Sequence, residues 1–118
     1  MICNLLPDYF FSFQGFFDIA NPDGDYNTFP FIEEIKSVTL STKPLFSYFK
    51  GIKKPSLVIY GSEDIYQFSG VERVVSILKR EQPKFAYQVI QNANHGITEH
   101  QSEFAKIVVN WLTSHKAL

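Results

Sequence analysis

Two side chains in the 118-residue sequence have the types and placement for acid–base chemistry: Asp64 and His95. Asp64 lies four residues after Tyr60, which ends the apolar run Leu57-Val58-Ile59-Tyr60. His95 lies five after Ile90, which ends Phe85-Ala86-Tyr87-Gln88-Val89-Ile90. A carboxylate that accepts a hydrogen bond from imidazole Nδ1–H fixes the tautomer, stabilises the imidazolium and leaves Nε2 to act as a base. For that use the two loops must meet, so the elements that carry them must lie side by side.

The intervening residues predict such an arrangement. Leu57–Tyr60 sits between Pro55 and Gly61, and a short continuous apolar run so bounded suits a strand buried on both faces. Ser69-Gly70-Val71-Glu72 has the capping-box spacing, with Ser69 as N-cap. Val71, Val74, Val75 and Leu78 then recur at the spacing of one helix face, Lys79 and Arg80 suit its negative end, and Pro83 stops it. Residues 85–90, rich in aromatic and β-branched types, predict a second strand. Phe104, Ile107, Val108, Trp111 and Leu112 predict a closing helix. Two strands joined by one helix run parallel with a right-handed crossover. Their C-terminal ends open on one edge of the sheet, where open α/β sheets bind ligands. Neighbouring strands are ~4.8 Å apart, so short loops can bring Asp64 and His95 into contact. Gly96 is expected to permit a tight backbone after the histidine.

Residues 1–54 read differently from residues 55–118. Twelve Phe and six Tyr crowd toward the first half, and Leu5 to Ile19 is aromatic with weak periodicity, helical or irregular. Asn21-Pro22-Asp23-Gly24-Asp25 is a turn by composition. Short helices are expected near Phe31–Ser37 and over Pro44–Phe49, the latter stopped by Gly51. The segment reads as a mostly helical or irregular aromatic cap or insertion, too short to bury its own rings. With 11 basic and 12 acidic residues, a nucleic-acid or polybasic membrane footprint is excluded. No stretch approaches the ~20 apolar residues of a membrane span. The first eight residues lack a basic n-region and Asp8 breaks their apolar run, so a secretory signal is not expected. A lone cysteine, Cys3, rules out a disulfide within the chain and fits a cytoplasmic, reducing compartment.

Taken in order, Lys54-Pro55-Ser56-Leu57-Val58-Ile59-Tyr60-Gly61-Ser62-Glu63-Asp64, Asn92-Ala93-Asn94-His95-Gly96 and Val109-Asn110-Trp111-Leu112 resemble the C-terminal end of an α/β-hydrolase. The resemblance spans about residues 50–115 and implies a partial α/β-hydrolase-like parallel sheet, strand–helix–strand–helix. It implies Asp64 as the triad acid, His95 as the general base, an acyl substrate and no cofactor. The family's nucleophile precedes the acid on a G-x-S-x-G turn, and no such turn occurs here. Gly61-Ser62 lies inside the acid loop, and Cys3 is followed by Asn4-Leu5-Leu6-Pro7, unlike the turn. At about 30 residues per βαβ-type unit, an eight-stranded sheet needs roughly twice this chain. A truncated hydrolase, inactive alone, is therefore the expectation.

Other chemistries fit less well. Glu63 and Asp25 are rival acids, and both Asp64 and His95 also occur in ordinary loops and turns. His95 and His100 are five apart, not the i, i+4 that chelates zinc on a helix; His100 with Glu99 and Glu103 reads as a solvated first helical turn. Asp23, Asp25, Asn27 and Glu34 fall on calcium-loop positions, but Thr28 replaces the turn glycine and Pro30 interrupts the loop, so no metal is expected. Tyr9, Phe10, Phe11, Phe13, Phe16 and Phe17 read as core or interface before an acyl pocket, and Trp111 as packing for the last helix.

Three functional readings stand at this point. The first is the distal part of a serine-type hydrolase of an ester, thioester or related acyl bond, completed by a missing N-terminal half. The second is a non-catalytic hydrolase-derived module that pairs with another chain or its own copy through sheet edges. The third is a small independent α/β binding domain in which Asp64 and His95 are incidental.

Overall fold

The computed structural model describes residues 2–6, 9–12, 14, 21–24, 30–67 and 69–115. They form a mixed α/β chain that divides into two compact units, Met1–Ser47 and Tyr48–Leu118.

In the first unit, β1 (Ile2–Leu6) pairs antiparallel with β2 (Tyr9–Ser12), with an irregularity between Asn4 and Leu6. This corrects the helical or irregular expectation for Leu5 onward. Tyr9-Phe10-Phe11 is aromatic without helical periodicity, which favours a pleated strand. Helix α1 (Pro30–Lys36) begins on a proline, whose fixed φ suits the first helical position. It stops where Ser37 turns left-handed, at φ 53°. Its buried residue is acidic: Glu33, 5% exposed, accepts hydrogen bonds from the backbone N–H of Leu40 (2.6 Å) and Ser41 (2.8 Å) and from the Ser41 hydroxyl. These donors stabilise the carboxylate and hold it below its ordinary pKa of 4.5, Ser41 N–H contributing most. Buried Phe46 meets Phe31 edge to face, at 5.2 Å between ring centres.

Helix α2 (Ser47–Gly51) starts three residues later than the run from Pro44 suggests. Phe46 is left-handed at φ 59°, which no helix interior accommodates, and the Ser47 hydroxyl donates back to the Pro44 carbonyl. Gly51 is its last residue and does not lie beyond it.

In Tyr48–Leu118 the expected order holds: β3 (Leu57–Gly61), α3 (Val71–Glu81), β4 (Ala86–Ile90) and α4 (Gln101–Ser114). The strands pair in parallel, from Leu57 opposite Ala86 to Gly61 opposite Ile90. The predicted face of α3, Val71, Val74, Val75 and Leu78, is buried with Ile77, Ile90 and Ala93. Tyr87 ties α3 to β4, its hydroxyl lying 2.8 Å from the carbonyls of Leu78 and Gln82. At the same end Gln82 Nε2 reaches the carbonyls of Phe49, Lys50 and Ile52, satisfying the end of α2.

Two local expectations are corrected here. Ser69 does not cap α3: Gly70 is the N-cap, at φ 89°, and no side chain caps it. The chain enters the helix through a left-handed residue, which glycine accepts and serine resists, so the start moves one residue on. Nor is β3 buried on both faces; Leu57 to Tyr60 are half-buried and only Gly61 is buried. The described sheet has two strands, so β3 has a neighbour on one edge. Its Leu57 and Ile59 also line an open groove of about 540 Å³ together with Phe104, Val108, Trp111 and Leu112 of α4. Among the described residues no helix is long and apolar enough to cross a membrane.

Candidate active site

Parallel pairing puts the ends of β3 and β4 at one rim, and the backbone beyond them is tied together at close range. Ser62 N–H donates to the Ile90 carbonyl and Glu63 N–H to that of Ala93, both at 2.9 Å; the Ser62 hydroxyl oxygen accepts Asn92 N–H at 2.7 Å. Gly61 makes this approach possible. A Cβ there would lie 2.3 Å from the Ala93 carbonyl oxygen and 2.5 Å from that of Asn94. The glycine the fold requires is thus at the end of β3. Gly96, expected to serve that role, is not left-handed and would meet only ordinary contacts, the nearest at 3.4 Å. The histidine loop takes its tight turns through Asn92, Ile97 and Glu99, at φ 62°, 56° and 66°. For a β-branched residue such as Ile97 that conformation is strained.

This clamp brings Asp64 and His95 together. Asp64 Oδ2 lies 2.9 Å from His95 Nδ1, with the carboxylate side chain 4% exposed and the imidazole 62% exposed. An ionised carboxylate oxygen only accepts, so with Asp64 ionised and the ring neutral the contact puts the shared proton on Nδ1 and leaves Nε2 without one. The other oxygen, Oδ1, accepts Tyr66 N–H at 3.0 Å, and the Asp64 carbonyl accepts Gln67 N–H at 3.1 Å. Each carboxylate oxygen therefore has a donor, which is how a nearly buried charge is accommodated. Tyr60, near the end of β3, is pushed above its ordinary pKa of 10.0, chiefly by burial and then by the Asp64 charge.

No protein-family model matches this chain. Comparison with curated proteins and with solved structures also finds no match.

Glu63, a rival acid, is exposed and enters the site through its backbone alone. Asp25, the other rival, lies outside the described residues, as do Asn27, Thr28, Phe13, Phe16 and Phe17. Asp23 of the calcium-like spacing spends its carboxylate on Thr42 N–H, at 2.5 Å. His100 directs Nδ1 at the Thr98 carbonyl, 3.0 Å away, and precedes α4 as its N-cap residue. Among the described residues no group of three His, Cys, Asp or Glu side chains could hold a metal ion.

Sequence reasoning missed Tyr66, whose ring centre lies 4.7 Å from that of His95, and the clamp role of Ser62. The first had a signal, an aromatic two residues after the acid; the second had none beyond its place in the loop. At the far end of the unit Trp111 faces His115, ring centres 4.6 Å apart, and its indole nitrogen is buried without a hydrogen-bond partner.

Proposed function

We propose that this chain supplies the acid and general base of a serine-type α/β hydrolase acting on an ester, thioester or related acyl bond. The observation that carries the reading is the 2.9 Å contact between a nearly buried Asp64 and the Nδ1 of an accessible His95, at the rim where two parallel strands end. In the completed enzyme a serine hydroxyl attacks the acyl carbonyl while His95 Nε2 takes its proton. The imidazolium, held by ionised Asp64, then protonates the leaving group as the tetrahedral intermediate collapses to an acyl-enzyme. Water repeats the cycle in the second half, with His95 again the base. The reaction needs no cofactor.

The nucleophile belongs to a segment outside residues 1–118. No G-x-S-x-G occurs in the sequence, and the hydroxyl oxygen of Ser62, beside the acid, is engaged by Asn92 N–H. Half-burial of the apolar strand β3 and the groove beside it support the same view, since a parallel strand of this composition is normally covered on both faces. Losing the nucleophile of a working triad costs on the order of 10⁶ in kcat, so the chain alone should not exceed free imidazole on an activated ester.

The test is to read the frame upstream of Met1 for a strand, a G-x-S-x-G turn and a helix, and to express that segment joined to residues 1–118. Ester hydrolysis that is lost in His95→Ala and reduced in Asp64→Asn supports the proposal. Absence of such a frame, or hydrolysis indifferent to His95, overturns it. Turnover by residues 1–118 alone that vanishes in His95→Ala would refute the missing-nucleophile claim.

A further inference from the structure

The contact between Asp64 and His95 leaves one question of mechanics open: what stops an imidazole that is 62% exposed from swinging into solvent. A single hydrogen bond through Nδ1 fixes a direction but permits the ring to pivot about it. We propose that Tyr66 is the positioning residue that removes this freedom, holding the imidazole with its ring and the carboxylate with its backbone. The inference rests on the acid–base reading of Asp64 and His95 and adds a residue to it.

Two contacts support the role. Tyr66 N–H donates to Asp64 Oδ1 at 3.0 Å, closing a turn in which the aspartate side chain mimics a backbone carbonyl. Its ring then meets the imidazole at 69°, with centres 4.7 Å apart, an edge-to-face geometry within the favourable range for aromatic pairs. Of the two residues after the acid, Tyr66 is the more covered, 44% exposed against 75% for Ile65. Acid and ring ride on one four-residue turn, Asp64–Gln67, which the Gln67 N–H to Asp64 carbonyl bond closes. They therefore approach His95 as a unit, the carboxylate along the Nδ1–H bond and the tyrosine at an angle to the ring. In acyl transfer, where Nε2 must stay aimed at a hydroxyl, a misplacement of about 1 Å can cost ~10²-fold in rate.

The experiment reads the pair in the full 118-residue chain by NMR, through the exchange rate of the His95 Nδ1 proton with solvent. In Tyr66→Ala that rate should rise about three- to tenfold, while Tyr66→Phe, which keeps the ring, stays within about twofold of the parent. All three should keep a single cooperative unfolding transition, which separates loss of this contact from loss of the fold. Unchanged exchange in Tyr66→Ala overturns the proposal. So does an equal rise in Tyr66→Phe, which would assign the effect to the hydroxyl. Because no acyl chemistry enters this measurement, its outcome is independent of whether a completed enzyme hydrolyses esters; that failure would strike the hydrolase reading alone.

Discussion

Replacing Gly61 by alanine should pull the two loops of the site apart. The added methyl would stand 2.3 Å from the Ala93 carbonyl oxygen, 2.5 Å from that of Asn94 and 2.7 Å from the Ala93 carbonyl carbon, all backbone atoms. Such contacts in real proteins stay beyond 3.0 Å, so the histidine loop must retreat by at least about 0.7 Å. That is enough to take the loop's bonds to Glu63 N–H (2.9 Å, at Ala93) and to the Ser62 hydroxyl (2.7 Å, from Asn92 N–H) out of the 2.7–3.2 Å range in which an N–H···O bond is well formed. Weakened hydrogen bonds at about 1 kcal/mol each, and the strain of overpacking at about 1–3 kcal/mol, predict a loss of about 3 kcal/mol. Urea denaturation followed through Trp111, the one tryptophan, measures it, and NMR should show the Nδ1 proton of His95 exchanging faster. Gly96→Ala is the matched control. With no left-handed φ and its nearest neighbour at 3.4 Å, it should cost less than about 1 kcal/mol. A Gly61→Ala stability within about 0.5 kcal/mol of the parent, or like behaviour of the two variants, would refute this role for Gly61.

Further outcomes follow from other groups. Glu33, whose pKa is lowered in the folded state, stabilises the 38–41 loop fully above about 4.5 and loses this as pH falls through its folded pKa; amide protection at Leu40 and Ser41 should drop in step. Glu33→Gln should reduce that protection about five- to tenfold at neutral pH, and an unchanged value would refute the role. Tyr60, with its pKa raised, contributes stability that is intact below 10.0 and declines as pH rises through the folded pKa, so Tyr60→Phe should flatten the alkaline limb of the stability profile. Phe104, 39% exposed beside the groove, and Val109, 51% exposed, should promote self-association. Light scattering should therefore show Phe104→Glu with Val109→Glu more monomeric, and equal association would argue against an apolar sticking surface.

Much of the second unit was legible from periodicity, because Val71, Val74, Val75 and Leu78 leave one helical face and Leu57–Tyr60 allows little but a strand. Parallel pairing followed from connectivity, and the meeting of Asp64 with His95 followed from both. What escaped was set by tertiary contact. A left-handed Gly70 overrode the capping box at Ser69, and the close approach of Ala93 and Asn94 made Gly61, in place of Gly96, the glycine that matters. In the first unit Tyr9–Ser12 carried no clean period, and its strand is set by antiparallel pairing with the run Ile2–Leu6 just before it. Glu33 could not be read as buried, since its donors lie seven and eight residues away in a loop of no distinctive composition.

The central claim is that ionised Asp64 holds the proton of His95 on Nδ1 and leaves Nε2 bare. Nitrogen-15 NMR of the His95 ring at a pH where it is neutral tests this directly. The geometry predicts one dominant tautomer, with hydrogen on Nδ1, that gives way to a mixture in Asp64→Ala. A proton found on Nε2, or a tautomer balance unmoved by Asp64→Ala, would contradict it.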